Sequence, residues 1–321
     1  MAEEKIKIKA WMRQLEVILT STKIKQKITF GNNWKKGLYD LDIKVEGTKY
    51  LSSLKDRFTV TISNLTYKEI VNLISGEYYD IEIKAGYRSS ECKSIFKGGV
   101  LYISNIMNDR QTNRVVILCA SNAVAKFGQK RMNLSMKSGI NMYSAISYIC
   151  KKAGMNSSNV YIDNEFKNRV LTENEIAENN ITTWVDLLCD KKGWVVNSDS
   201  ILGSNISIWD PYRKDRRKII LDNSNIILIG GYPTLDSDGL KLTVMPTISF
   251  CPGDTIQIDN SIINIGVTSE SEAYKNLGQF MDKDGNYIIY QIDISLSNRS
   301  SDFNYSLKCK SKSLWSNLVG G

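Results

Sequence analysis

The sequence predicts a mainly β protein in which two mostly antiparallel β regions flank a small α/β region. Alternating apolar and polar residues crowd the stretch 78–120, helical spacing begins at Ser138, and alternation returns from Ile206. Alternation is typical of a strand with two unlike faces, whereas apolar residues three and four apart indicate a helix. The predicted domains, with strands free to exchange across their boundaries, are residues 1–127, 128–200 and 201–321.

The first region is predicted to open with strands and a short helix. Its early alternating runs, rich in β-branched residues, lie at residues 15–19, 41–46 and 58–62. The apolar spacing over 70–74 then predicts a helix. Either Asn64 or Thr66 is expected to be its N-cap, and Gly76 is expected to follow its last turn.

The stretch 78–120 predicts a three-stranded antiparallel meander. Its alternating runs lie at residues 81–84, 100–104 and 115–119. We predict turns at Ala85-Gly86-Tyr87 and at 108–111, where residues favoured in turns occur. Gly98 and Gly99 permit a bulge or a sharp bend in the middle strand.

The second region predicts two helices with short strands between them. A helix over 142–150 has Asn141 as its expected N-cap and Gly154 after its end. A second helix follows with Thr182 as its expected N-cap. The polar and acidic segment from Glu173 to Asn180 is predicted as a loop or a weak helix. The short strands are predicted at residues 160–162 and 194–196.

Strands dominate the third region. Their apolar or alternating runs lie at residues 206–210, 219–221, 226–229, 240–244, 255–259, 287–294 and 305–308. Three prolines, Pro233, Pro246 and Pro252, are predicted at turns between these strands, because proline cannot donate to a sheet ladder. The C-terminal third therefore reads as a second mostly β domain.

Composition excludes several kinds of site. The chain has 321 residues and no histidine, which removes Ser-His-Asp and Cys-His catalysis and histidine-containing zinc sites. No apolar run approaches the roughly 18–20 residues of a membrane-spanning helix. No signal-peptide core follows Met1, so we expect the chain to fold in the cytoplasm. Cysteines without CxxC spacing are predicted to be free and mostly buried thiols, and they are Cys92, Cys119, Cys150, Cys189, Cys251 and Cys309.

Carboxylate pairs are the catalytic candidates that this composition leaves. They are Asp236 and Asp238 beside Gly239, and Glu173, Glu175 and Glu178 on one segment. A hydrolase pair would need one acid in an apolar pocket with a raised pKa, and the sequence shows no sign of that. The segment 282–286 imitates the start of a calcium loop but lacks the later ligands, so a β-turn is predicted. We therefore predict no catalytic residue, no cofactor and no metal site.

The net charge of +8 raises the alternative of nucleic-acid binding. Basic residues are dispersed, which favours a lysine-rich surface instead. The denser basic patches are at residues 5–9, 23–27 and 213–218. Trp184, Trp194 and Trp209 lie in apolar patterns and are predicted to be core residues. Trp34 lies in a predicted loop and is the best candidate for an exposed contact.

Several segments, taken in order, resemble a known family. They are Phe58-Thr59-Val60-Thr61-Ile62, Tyr79-Asp80-Ile81-Glu82-Ile83, Ala85-Gly86-Tyr87-Arg88, Ile95-Phe96-Lys97-Gly98-Gly99-Val100, the stretch Ser138 to Gly154, Gly239-Leu240-Lys241-Leu242-Thr243-Val244 with Met245-Pro246, and Pro252-Gly253-Asp254-Thr255-Ile256. This ordered set resembles the baseplate hub proteins of contractile phage tails and R-type tailocins, the late-control-protein-D-like family. The resemblance covers most of the chain.

The resemblance implies two tail-tube-like antiparallel β-barrel domains that bracket the small α/β domain, in a homotrimer. Such a trimer would be the structural hub of the baseplate: a ring that adapts the hexameric tail tube to the trimeric spike and lines the central channel. The implied partners are the tail spike, the tail tube, the baseplate wedge proteins and the tape-measure protein, in a contractile injection system assembled in the bacterial cytoplasm. Enzymatic activity, specific nucleic-acid binding and membrane insertion are not expected.

Two other functions stay open at this point. One is a tail-associated peptidoglycan hydrolase with a carboxylate pair, and the other is a single-stranded nucleic-acid-binding barrel protein. For a hub, we expect the channel-facing side of the sheet to be polar and not strongly basic, because a basic wall would hold passing nucleic acid. If Gly98-Gly99 bends a strand around the ring, Gly99→Val should harm trimer assembly more than folding of the isolated domain.

Overall fold

A computed structural model describes most of the chain. The described residues are 13–21, 23–32, 41–52, 55–87, 92–107, 113–128, 130–155, 160–190, 195–197, 206–209, 217–221, 231–236, 238–265 and 281–312. Several predictions lie outside them: the basic patch 5–9 and most of 213–218, Trp34 and Trp194, the turn at 108–111, and the strand at 226–229.

The described residues of the first region form seven strands and one helix. In chain order they are β1 (Arg13–Ser21), β2 (Gln26–Gly31), β3 (Asp42–Tyr50), β4 (Arg57–Ser63), α1 (Tyr67–Ser75), β5 (Asp80–Tyr87), β6 (Lys93–Met107) and β7 (Asn113–Ala120). The meander predicted for 78–120 is confirmed, since β5 pairs with β6 and β6 with β7, both antiparallel. The middle strand carries a bulge between Val100 and Tyr102, just after Gly98 and Gly99.

The middle of the chain alternates helices and short strands. In order they are α2 (Asn122–Phe127), β8 (Arg131–Met136), α3 (Met142–Ala153), β9 (Val160–Ile162), α4 (Asn164–Lys167), β10 (Glu175–Asn180), α5 (Ile181–Asp190), β11 (Val195–Asn197) and β12 (Ile206–Trp209). Helix α3 has its predicted ends, because Asn141 accepts a hydrogen bond from the Ser144 amide and Gly154 adopts a left-handed conformation.

The last part of the chain is again made of strands. They are β13 (Lys218–Ile220), β14 (Thr234–Asp236), β15 (Gly239–Val244), β16 (Thr255–Gln257), β17 (Asn264–Ile265), β18 (Asn286–Ser297) and β19 (Phe303–Ser311). Pro233, Pro246 and Pro252 lie in the connections between these strands, as predicted.

Fourteen of the described strands form one mostly antiparallel sheet that joins the two halves of the chain. Its main path runs β17-β14-β15-β19-β18-β3-β4-β7-β6-β5-β1-β2, with β13 and β16 on a branch beside β18. The two halves meet where β3 pairs with β18, in a ladder from Lys44 opposite Ser297 to Tyr50 opposite Gln291. The prediction of a mainly β chain is confirmed.

Two hydrophobic cores follow from this arrangement. The first lies against the large sheet and contains side chains from both halves, such as Val60 and Leu307. The second gathers residues between 120 and 208, with Ile146 and Trp184 at its centre. Strand β12 belongs to this second core, because it pairs in parallel with β9 and buries Ile208. The domain boundaries stay a prediction.

The large sheet folds back on itself so that β1 and β5 approach β19. The Arg13 guanidinium donates to the Ser300 carbonyl and lies 5.4 Å from the Phe303 ring centre, and Tyr87 meets the same ring edge-on at 5.3 Å. Among the described strands, no hydrogen-bonded ladder closes either half into a barrel. The two-barrel arrangement stays a prediction.

Two local predictions in the strands are wrong. Ala85-Gly86-Tyr87 does not turn: it is the end of β5, where Ala85 and Tyr87 are buried and the ladder with β1 continues. The segment from Glu173 to Asn180 is not a loop or a weak helix, since Glu175–Asn180 forms β10 against β8. In both cases tertiary pairing overrides local residue preference.

The helix ends also differ in detail. Thr66 is the N-cap of α1, in a capping box with Glu69. Gly76 is right-handed, and the left-handed residue after α1 is Glu77 instead. Asn180 rather than Thr182 caps α5, because its side chain accepts from the Thr183 amide at 3.0 Å. None of the helices in the described part of the chain is long and apolar enough to cross a membrane.

Candidate assembly surface

The carboxylate pair Asp236 and Asp238 is held by a lysine. Lys241 Nζ lies 2.6 Å from Asp236 Oδ2 and 3.4 Å from Asp238 Oδ2, at the β14–β15 turn. Burial pushes the pKa of Asp236 up, but the hydrogen bond from Lys241 and backbone amides outweigh it, so the net pKa is lowered. A general acid needs a raised pKa. The two aspartates therefore form a surface ion-pair cluster with Lys241.

Glu173, Glu175 and Glu178 do not form one cluster in the structure. Glu173 and Glu175 stand at an open pocket of about 330 Å³ whose walls include Met142, Leu171 and Leu187. Glu178 lies further along β10 and is exposed. Glu173 and Glu178 are therefore exposed, while Glu175 is half-buried.

The calcium-like segment is a β-turn. Asp282 Oδ1 accepts from the amides of Asp284 and Asn286, and its Oδ2 accepts from Ser311 Oγ at 2.9 Å. Gly285 takes the left-handed conformation that such a turn requires. No group of three or more metal-ligating side chains occurs among the described residues.

The cysteine thiols and the Trp184 ring contribute to the packing of the protein. All six cysteines are free, and all but the half-buried Cys92 are buried. Burial raises the pKa of Cys119 and of Cys150 to about 12, which keeps them unreactive at neutral pH. Trp184 is fully buried and donates to the Met132 carbonyl. Its prediction as a core residue is confirmed.

Part of the outward face of the large sheet is a continuous polar surface. It runs from β15 across β19, β18 and β3 to β4, and the cross-strand neighbours on it are half-exposed or, at Glu46, exposed. They include Lys241, Thr243, Ser306, Lys308, Asp293, Ser295, Glu46, Thr48, Thr59 and Thr61. Hydroxyls dominate, and both signs of charge occur, as in the Lys44–Glu46 pair at 2.8 Å.

Asp293 is the hydrogen-bonding centre of this face. Its Oδ1 accepts from Thr48 Oγ1 and from Gln291 Nε2, each at 2.9 Å, and Lys308 Nζ lies 3.3 Å from Oδ2. Burial would raise the pKa of Asp293, but these three donors together lower it. Because Thr48 is on β3 and Asp293 on β18, this contact ties the two halves of the chain together.

A second surface feature is an exposed apolar stripe on α1, which sequence reasoning missed. Tyr67, Val71 and Ile74 are exposed although Ile70 and Leu73 of the same helix are buried. The spacing of four and three residues was the signal, because it gives α1 a second apolar face besides the one that packs on the core.

Comparison with solved structures finds chains of the same fold. The 43 kDa tail protein of prophage MuSo2 from Shewanella oneidensis is 9% identical, with a TM-score of 0.57, and the match covers 92% of this chain and 97% of that one. A tail protein from Neisseria meningitidis MC58 is 10% identical, with a TM-score of 0.57, and the match covers 95% and 98%.

A secretion protein has the same fold. The E. coli c3393 protein, a component of the type VI secretion system that is structurally similar to the T4 tail proteins gp27 and gp5, is 12% identical, with a TM-score of 0.54 and coverage of 84% of this chain and 73% of that one. No protein-family model matches the sequence, and no curated protein does. The chain therefore has the fold shared by these phage tail and type VI secretion proteins.

Proposed function

We propose that the chain is the structural baseplate hub of a contractile tail: a trimeric ring that adapts the hexameric tail tube to the trimeric spike and lines the central channel. The observation that supports this most is the full-length fold match. It extends over 97% and 98% of two phage tail proteins and over more than nine-tenths of this chain.

The large sheet supports a trimeric ring with pseudo-sixfold symmetry. Each chain has one β region from each half, joined through β3 and β18. If each region closes as a tube-like barrel within the assembly, three chains place six such regions around the axis. Strand edges left open within one chain need covering, and neighbouring copies would supply that cover.

We assign the channel side to the polar outward face of the large sheet. Its hydroxyls and balanced charges offer few cationic groups to phosphates, so nucleic acid would pass without being held. The net charge of +8 would then lie on the outer surface and on contacts with acidic partners. A ring whose inner wall is lined with lysines would contradict this assignment.

The proposed partners are the tail spike and the tail tube, followed by the wedge proteins and the tape-measure protein. A chain of a PdpA-VgrG complex also has this fold, and the match covers 94% of this chain and 65% of that one. The c3393 protein combines likeness to gp27 and to gp5. A spike-binding hub is the equivalent role for this chain.

Size-exclusion chromatography with light scattering tests the oligomer directly. A hub should elute as a particle of three 36.3 kDa chains, either alone or when mixed with its spike protein. A strict monomer at high concentration that binds neither spike nor tube protein would overturn the proposal.

We further propose that the chain has no hydrolytic activity of its own. Lys241 pairs with both Asp236 and Asp238, and the lowered pKa of Asp236 does not suit a general acid. Purified protein is expected to leave a peptidoglycan zymogram uncleared. Clearing that is lost in the Asp236→Asn variant would revive the hydrolase alternative.

A further inference from the structure

Helix α1 presents an apolar patch to solvent next to the β1–β2 turn. Tyr67 is 73% exposed and Ile74 is 53% exposed, with Val71 between them on the same side of the helix. Ile24, at the tip of the β1–β2 turn, is also exposed. We call Tyr67, Val71, Ile74 and Ile24 the α1 patch.

This patch is held in place by polar contacts around it. Thr66 and Glu69 form the capping box that starts the helix. Lys23 Nζ lies 2.6 Å from Glu77 Oε2, and Tyr79 donates to the same carboxylate at 3.0 Å, which ties the turn to the end of α1. The surface is therefore organised before any partner arrives.

The rim of the α1 patch is basic. The exposed cations Lys23, Lys25 and Lys68 outnumber the carboxylates Glu69 and Glu77, which keep their negative charge while they accept hydrogen bonds within the chain. A surface that fits should therefore have an apolar centre flanked by carboxylates, because interfaces match charge as well as shape.

Strand β10 offers such a surface on the same chain. Ile176 is 72% exposed, exposed Glu178 lies two residues further along the same face of the strand, and exposed Glu173 lies just before the strand begins. Strand β10 pairs antiparallel with β8, from Glu175 opposite Met136 to Asn180 opposite Arg131. We call Glu173, Ile176 and Glu178 the β10 patch.

We propose that the α1 patch of one copy of this chain docks on the β10 patch of the next copy. The two patches differ, so the contact is head-to-tail, and repeated contacts of this kind close a ring or extend a filament. The apolar side chains Ile74 and Ile176 lose water at the centre, and Lys68 and Lys25 face Glu173 and Glu178 at the rim. This inference rests on the proposed trimeric hub and names its interface.

Charge reversal tests the pairing. One variant has Lys25→Glu and Lys68→Glu, and the other has Glu173→Lys and Glu178→Lys. Each alone is expected to raise the trimer dissociation constant about tenfold or more, because like charges then meet across the contact. Both reversals in one chain should bring the constant back to within about threefold of the unchanged protein.

The combined variant is the informative one, since a ring of three has an odd number of contacts. Mixing the two singly reversed proteins leaves at least one contact between like charges, whereas reversing both patches in every chain corrects all of them. Lys152→Glu, a change at an exposed lysine of α3 that belongs to neither patch, is the control and should leave the constant unchanged. Thermal unfolding within about 2 °C of the unchanged protein checks that each variant is folded.

The outcomes separate the interface from the hub. A trimer that tolerates both single reversals, or a combined variant that is not rescued, overturns the interface and leaves the hub intact. If reversal at the α1 patch leaves trimer formation normal but abolishes spike binding, the α1 patch binds the spike and not a neighbouring copy. That result also overturns the inference. An unchanged protein that is monomeric under all conditions overturns the hub and this interface together.

Discussion

At the scale of single residues, Gly99 shows that packing, in addition to the bulge predicted here, requires a glycine at this position. A Cβ at this position would overlap the Cβ of Ala125 in α2, and one at Gly98 would overlap the Ala120 carbonyl. The glycine pair therefore lets β6 pass directly beneath the connection into the middle region. Gly99→Val is now expected to damage the fold itself, contrary to the expectation that it would mainly affect assembly.

Gly99→Ala should lower the free energy of unfolding by about 1–3 kcal/mol, because overpacking forces strand and helix apart. Ala125→Gly should recover part of that loss in the double variant, although on its own it costs about 1 kcal/mol in helix propensity. Urea denaturation of the four proteins measures the coupling. If the losses in the free energy of unfolding are strictly additive, the side chains at positions 99 and 125 do not interact.

At the scale of elements, the N-terminus of α1 rests on its capping box. Thr66→Ala removes the side chain that accepts from the Glu69 amide and should cost about 1 kcal/mol of stability. Thr66→Ser keeps the acceptor and should restore most of it, which makes it the matched control. Equal loss in both variants would mean that the methyl group, and not the cap, is what matters.

The junction of β3 and β18 should respond to acid through Asp293. Its folded-state pKa is lowered, so its stabilising contribution is complete above the unfolded pKa of about 4 and is lost as the pH falls through the folded value. Asp293→Asn should therefore lower stability at pH 7 by about 0.5–1.5 kcal/mol and flatten the decline between about pH 5 and pH 2. The expected loss of stability is modest because the Asp293 side chain is 37% exposed to solvent, which screens its charge. An unchanged acid slope would contradict it.

The elements that sequence reasoning located are those whose signal is local. Helix α3 has an apolar stripe, an amide N-cap and a left-handed glycine all within the chain segment itself. Strand β15 alternates cleanly and begins at Gly239. By contrast, Ala85-Gly86-Tyr87 carries turn residues but stays extended because β1 pairs along it, and β10 is a strand only because β8 lies beside it.

At the scale of the whole molecule, the seam between the two halves lay beyond sequence reasoning. Thr48 and Asp293 are 245 residues apart, and nothing in either strand specifies the other as its neighbour. The register is set by burial of one face across the whole sheet. The α1 patch was missed for a related reason. The sequence shows that α1 has many apolar residues, but it does not show which of them pack on the core and which stay exposed.

Class averages from electron microscopy of the concentrated protein, alone and with its spike, test the central claim most directly. The account predicts threefold particles with an open centre and six similar lobes of density around it, two from each chain. Particles no larger than one 36.3 kDa chain, or closed assemblies without a central channel, would contradict it.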